Sequence, residues 1–474
     1  DDNTFIGYAA GDATTTATNN VAIGRDALGA NTTGYNNTGA GSGAGSGITT
    51  GGDNVAVGFN TMLAAVTGNE NTAVGNDSLK ALTSGSSNVA VGANALDANT
   101  TASNNTAMGF NALTANTTGA TNTAVGEGTM QNNTTASDNT AIGRKAMFTN
   151  TTGTGNVAVG ETALYSNTTA SSNTAVGRLA LNANTTGANN VAMGNSALTA
   201  NTTGTTNVAV GKDALYDSTT GSENTAVGYR SLYNNTTAGA NTAVGNSAMF
   251  YNTTGFDNVA VGQGSMFLNS TGTRNTGVGN ASLSVNTTGA NNVAVGNGAL
   301  IANTTASQNT AVGRQALEDT TTGQYNAAFG YRAGDAITTG NYCTSIGNLA
   351  NTTTTTAEGV TIVGYNCQPS SATVSNELVI ATNGMTGKGS QTAFINGGNG
   401  PTFNGNNTTT FAQTSDRRIK KDIIPNNKGL ESIKQIEPKY FYYKSDEEMQ
   451  AELPNAQEGL PLDKQFTSAI AQEL

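Results

Sequence analysis

NVAMGNSALTANTTGTTNVAVGKDALYDSTTGSENTAVG, residues 190–228, says the same thing three times. A Gly closes each NVAMG, NVAVG or NTAVG string, at Gly194, Gly211 and Gly228, and the interval is 17 residues. Extended both ways, the phase holds at 22 glycines from Gly7 to Gly364 without insertion or deletion. A disordered low-complexity chain has no reason to keep phase over such a distance, whereas units that stack on their neighbours must. The chain is a solenoid by this criterion.

The apolar slots recur within the unit. Ile23, Val57, Val74 and Met108 stand just before the Gly, and Leu28, Met62, Leu79 and Leu113 stand four after it. Two before the Gly the residue is small, as in Ala56, Ala73, Ala90 and Ala107. Strict alternation in N-V-A-V-G predicts a short β-strand with two faces. Val is expected to face a core, and Ala a second surface that approaches closely. S-A-L-T-A predicts a second short strand, and the NTTG stretches are turns. Two strands and two corners in 17 residues make one coil of a narrow parallel β-solenoid. Stacked at ~4.8 Å, 22 coils reach on the order of 105 Å.

One coil cannot stand alone. Its two or three large apolar side chains contribute roughly 1.5–3 kcal/mol each when buried, against roughly 17–34 kcal/mol for fixing 17 backbones. Hydrogen bonds between coils must supply the difference, together with another chain placed against the Ala face. Units deviate at both ends. FIGYAAGDATTTATNN opens the array and FGYRAGDAITTGN nears its close, with Gly11 and Gly334 in place of Leu. The unit around Gly41, GAGSGAGSG, has lost its large residues and is expected to be a weak coil.

Composition excludes much else. The 474 residues include no His and no Trp, 60 Gly, 6 Pro and two Cys. Lack of His removes Ser-His-Asp and Cys-His catalysis and every His-containing metal site. Cys343 and Cys367 form neither a zinc pattern nor a redox pair. No metal or cofactor is expected. A net charge of −11 argues against nucleic-acid binding. Only 11% of residues are charged, so the self-repulsion of a disordered chain is missing. No apolar run reaches the roughly 18–20 residues that cross a bilayer. The chain begins DDNTF without a secretory signal, which reads as processing or a fragment.

The repeated polar residues carry two readings each. Asn99, Asn116, Asn133, Asn150, Asn167, Asn184 and Asn201 all begin N-x-[ST] sequons. They are either glycan acceptors or corner residues that cap backbone groups and stack into ladders, and the second is the plainer. Regular Thr rows suggest an ice-binding face, against which stands their place in turns. Phe148, Tyr165, Tyr216, Tyr233, Phe250 and Phe267 fall one position after the Leu/Met slot. They form either a glycan-binding stripe or a cover for the edge of the roll.

Over residues 1–364 these motifs resemble the head domains of trimeric autotransporter adhesins and related phage and bacterial fibres. There, N-S-x-A-x-G repeats build a left-handed β-roll that trimerises. The resemblance implies an all-β fold: a trimeric left-handed roll of 17-residue coils. Residues 365–414 lose the period, and ELVIATNG, TAFINGG and TTTFAQ read as a β stem.

Residues 415–474 differ in chemistry, with one third of them charged and two Gly. GLESIKQI predicts a helix with Leu430, Ile433 and Ile436 on one face, and PKYFYY a strand, giving a small α/β unit. It opens T-S-D-R-R-I-K-K-D-I. This resembles the intramolecular chaperone auto-processing domain of phage tailspikes, endosialidases and tail fibres, whose opening is S-D-x-R-x-K. Ser415, Asp416, Arg418 and Lys420 match it in position, and KQIEPKYFYY and SAIAQEL resemble later segments. The resemblance implies a domain that trimerises, guides folding of the fibre before it, and cuts itself off at Thr414–Ser415. Ser415 would be the nucleophile and Lys420 the base or positioning cation. A buried Lys of lowered pKa can activate a Ser without His. The plain alternative is a solvated charged start to a domain. The family continues past I-A-Q-E with long helices, so the reading takes the domain as truncated at Leu474.

The two parts belong together physically. Sliding one repeat chain by a whole unit restores nearly every contact, so the array alone does not hold three chains level. A C-terminal clamp would, and its release would leave a kinetically trapped fibre. The expected function is a homotrimeric fibre or adhesin, extracellular, on a cell surface or on a virion. It attaches to a host or other surface, with a cell-surface glycan or another receptor as partner. Its only enzymology is a single-turnover Ser-Lys self-cleavage. The alternative is an ice- or glycan-binding β-solenoid without self-cleavage. A β-helix acyltransferase lacks its His.

Overall fold

The computed structural model describes residues 2–397. Beyond them it describes four short strands, Thr402–Asn404, Ala412–Gln413, Lys439–Phe441 and Phe466–Ser468. The chain divides into two units, Asp1–Gln413 and Thr414–Leu474.

The first unit is a parallel β-solenoid of about 23 turns, with no helix among the described residues. Its strands β1 to β21 are three residues each, from Thr4–Ile6 to Thr344–Ile346. Each lies parallel to the next in a register displaced by one repeat. Val191 faces Val208, Ala192 faces Ala209 and Met193 faces Val210. The stack continues through β22 (Thr361–Tyr365), β23 (Leu378–Asn383) and β24 (Ala393–Asn396), with a register shift between Val363 and Tyr365. There the pattern changes. β25 (Thr402–Asn404) runs antiparallel to β24, and β26 (Ala412–Gln413) antiparallel to β25.

The strand faces are the reverse of the expectation. The central Ala of each strand points inward, as with Ala192, Ala209 and Ala226 at 0% exposure. The flanking Val, Thr, Ile or Met residues face outward, exposed or half-buried. The reason is the thinness of the roll. Leu28, Leu198 and their equivalents enter the same interior from the opposite side and are fully buried. A Cβ added at Gly39, in the central slot, would lie 2.7 Å from Ala44 O and 3.0 Å from Leu28 Cγ. Opposite a Leu the slot therefore takes only a small residue, and the larger Phe5 and Ile362 occupy it where Gly11 and Gln368 replace that Leu.

S-A-L-T-A is not a second strand. Ser196 and Leu198 sit at φ 55° and 53°, in the left-handed region that a strand never visits. The track still bonds coil to coil, with Leu198 N donating to Ala214 O (2.9 Å) and Ala200 N to Tyr216 O (3.2 Å). Left-handed Leu is costly, and here its side chain is locked in the core.

The anchor Gly has a sharper cause. Gly194 has φ 141°, and a Cβ there would stand 2.5 Å from the carbonyl oxygen of Gly211 one coil on. Only glycine closes the strand at this coil spacing.

Irregular coils are compensated in place. Where Gly45 and Gly334 replace Leu, Ile48 and Ile337 are fully buried and reach within 3.0 and 3.1 Å of the missing Cβ. The coil around Gly41 is therefore filled, contrary to the expected weak coil. In the first turn Phe5 takes the strand-centre slot and lays its ring 2.7 Å from the Cβ that Gly11 lacks.

Candidate functional site

The corner Asn residues form two ladders through the first unit, one continuous and one interrupted where Ile48, Leu82, Ser218 and Thr320 take the Asn position. In the one that precedes the strands, Asn190 N donates to Asn173 Oδ1 (2.9 Å), Asn190 Nδ2 to Gly204 O (2.9 Å), and Asn207 N to Asn190 Oδ1 (3.0 Å). The pattern repeats from Asn20 to Asn326. The second ladder is built by the sequon residues. Asn167 Nδ2 donates to Asn150 Oδ1 (2.8 Å) and to Ala170 O (2.9 Å), and Asn184 Nδ2 to Asn167 Oδ1 (3.0 Å). The seven Asn-Thr-Thr asparagines from Asn99 to Asn201 are fully buried. An amide nitrogen held in this way cannot receive a glycan, so the folded roll closes the acceptor reading at these seven positions. Asn and its backbone are satisfied together along the ladders, as buried polar groups require, except at Asn201 Oδ1 and Asn303 Oδ1, where the next coil carries Ser218 and Thr320 in place of Asn.

Thr pairs finish the corners. The first hydroxyl of each pair donates to the next coil's backbone, as with Thr185 Oγ1 to Thr202 O (3.0 Å) and Thr202 Oγ1 to Thr219 O (3.1 Å). The second Thr is exposed.

The aromatic residues stack on one another. Tyr216 and Tyr233 are 5.0 Å apart and 2° from parallel, Tyr233 and Phe250 5.0 Å and 3°, and Phe148 and Tyr165 5.2 Å and 4°. Coil spacing imposes this contact, because equivalent rings repeat at the strand separation. A sugar stacks on a ring face, and the faces inside the ladder are already covered. The rings are half-buried and seal the roll edge. Burial, and next the Asp217 carboxylate, push the Tyr233 hydroxyl above its ordinary pKa.

Little reactive chemistry appears elsewhere. Cys343 and Cys367 are buried free thiols, and burial pushes the Cys343 thiol up, away from a reactive thiolate. Arg144, Glu161 and Arg178 form an exposed coil-to-coil ion ladder, with Glu161 held below its usual pKa by the Arg144 hydrogen bond. Among the described residues no group of three or more His, Cys, Asp or Glu side chains gathers as metal ligands, and no helix is long and apolar enough to cross a membrane.

Ser415, Asp416, Arg418 and Lys420 lie outside the described residues, as does the GLESIKQI helix. In the second unit the strand expected in PKYFYY is β27 (Lys439–Phe441), paired antiparallel with β28 (Phe466–Ser468), and Tyr440 faces Thr467. The pairing joins KQIEPKYFYY to the residues that lead into SAIAQEL.

Residues 415–474 match the family model of the chaperone of endosialidase. The comparison with curated proteins and the comparison with solved structures gave no match. The chain is a β-solenoid repeat protein of about 17 residues per turn that ends in a domain of the chaperone-of-endosialidase type.

Proposed function

We propose that this chain is the shaft of a tail-fibre-like homotrimer, extracellular or on a virion, that carries an attachment function and is matured by cleavage at Thr414–Ser415. The observation that carries the reading is the union of two parts: a long roll locked coil to coil by buried Asn ladders, and a C-terminal segment matched to an intramolecular chaperone. A rod needs mechanical continuity and no reaction chemistry. Its side chains are engaged with the next coil rather than gathered around a substrate. The surface it attaches to presents a glycan or another receptor. The closed ring faces and buried sequons favour the structural role over the ice- or glycan-binding alternative.

For maturation, Ser415 Oγ attacks the Thr414 carbonyl while Lys420 takes or steadies the hydroxyl proton. The peptide C–N bond breaks as the ester C–O bond forms, and the freed amine takes a proton. Water then hydrolyses the ester, leaving a carboxylate on Thr414 and the hydroxyl restored on Ser415. Asp416 and Arg418 hold the segment in place. Ser415→Ala tests the step. On a denaturing gel the parent separates into the shaft and its 60-residue terminal piece, and the variant stays whole. Equal processing of both chains would overturn the cleavage. The native mass of the parent tests the trimer.

A further inference from the structure

The outward face of the strand stack has no partner among the described residues. The residue before each anchor Gly, from Ile6 to Val363, is Val, Ile, Met, Phe or, once, Ala, over 22 successive turns, and Ile380 before Ala381 continues the file. Ile23, Met108, Met193 and Phe329 are 43–45% exposed. Two residues earlier stands Thr or Val, with Ala327 and Leu378 near the end, and neither file contains a charge. Charges sit on other outward positions, such as Asp138, Glu223 and Asp257, or Arg144 and Glu161. Thr123, Thr140 and Thr174 on this face are half-buried, and their hydroxyls make no hydrogen bond among the described residues, unlike the first hydroxyl of each corner pair.

We propose that this face, and not the enclosed Ala file, is where copies of the chain meet, side by side and parallel. The inference rests on the homotrimer reading above and says which surface makes it. Strand edges between turns are consumed by neighbouring coils, so another chain can approach only through side-chain faces. The stack is ~105 Å long and two side chains wide, on the order of 1,000 Å² per chain, above the roughly 800 Å² per partner of a standard interface. The occupant must present apolar ridges at the same ~4.8 Å repeat along that whole length. A second copy does so by construction. Cyclic symmetry about a common axis then keeps the copies parallel and brings the same file of each to the centre. Exposed apolar surface of this extent marks an association site.

The test uses the full chain. Val176→Lys, Val227→Lys and Val278→Lys are combined in one variant, and Thr186→Lys, Thr237→Lys and Thr288→Lys, on the exposed corner, in another. Masses are read by light scattering. The corner variant is expected to keep the parent's mass, and the strand-face variant to fall to one chain. A trimeric parent whose strand-face variant is also trimeric overturns the face while leaving the trimer standing. A parent that is itself a monomer removes both. A milder pair guards against misfolding: Val227→Cys is expected to give covalently joined chains on air oxidation, and Thr237→Cys none. Crosslinking at Thr237→Cys with none at Val227→Cys would overturn the assignment. The native thiols are buried and do not interfere.

Discussion

Replacing Asn190 by Ala removes one rung of the ladder that precedes the strands, and the structure says which groups suffer. Asn190 Oδ1 accepts from Asn207 N (3.0 Å) and Asn207 Nδ2 (3.2 Å), while Asn190 Nδ2 donates to Asn173 Oδ1 (3.2 Å) and Gly204 O (2.9 Å). Not all of these partners are stranded. Gly204 O keeps the Asn201 amide (3.0 Å), Asn207 Nδ2 keeps Gly221 O (2.8 Å), and Asn173 Oδ1 keeps the Asn190 backbone N–H (2.9 Å). The Asn207 backbone N–H alone loses its acceptor. A buried orphan donor costs about 1–3 kcal/mol, and the lost amide bonds add about 1–2 kcal/mol, so the total is about 2–5 kcal/mol. Solenoid energetics are nearest-neighbour, which confines the damage to the adjacent turns. Hydrogen exchange read residue by residue is the assay. The Asn207 amide should exchange roughly 30- to 4,000-fold faster, while the Asn54 amide, eight coils away, keeps its protection. Undiminished protection at Asn207 would refute the reasoning. Asn190→Asp adds a control by pH. The introduced carboxylate still accepts from Asn207 but meets Asn173 Oδ1 and the Gly204 carbonyl lone pair to lone pair. Burial then raises its pKa above the ordinary ~3.9. The folded state holds the proton longer than the unfolded one, so stability falls as pH rises through that window. This variant should be firmer in acid than at neutrality.

Other positions separate the causes argued above. Gly194→Ala, with its Cβ 2.5 Å from Gly211 O, should unseat the adjoining coils and lower the melting temperature, whereas Gly155→Asn, at φ 65° with open space around the Cβ, should leave it unchanged. Equal melting of the two variants would remove the steric account of the anchor. Near the end of the stack, Glu377 is buried and accepts from Ser370 N (2.9 Å), Ser370 Oγ (3.2 Å) and Gly389 N (2.7 Å). Glu377→Gln turns one acceptor into a donor, and limited proteolysis should then cut within 369–375 or 384–391 while the upstream turns resist. Unaltered resistance in those loops would show that the carboxylate does not pin them.

The period, and with it the solenoid, was legible in residues 190–228 alone, because a fixed interval between glycines is a statement about stacking. The C-terminal chaperone segment was legible too, from SDRRIK and its companions at 415–474. The corner ladders were half legible. Asn167 and its equivalents stood out as sequons, but Asn190 and the file before the strands went unremarked as ladder members. Their signal was present, an Asn before almost every V-A-V-G or T-A-V-G string. What went wrong was which way the strand faces. Alternation in V-A-V establishes two sides and is silent about which is inside. That choice depends on volume contributed from elsewhere: Leu198, entering from a track in left-handed conformation, fills the interior and leaves room only for Ala192 opposite. Valine, the larger residue, is thereby turned outward. Likewise Tyr216 and Tyr233 announced an aromatic stripe in sequence, and only their 5.0 Å separation showed its faces to be closed. Local order along the chain came from the sequence. Inside and outside came from the competition of side chains for one thin core, which is settled only when distant parts of a coil meet.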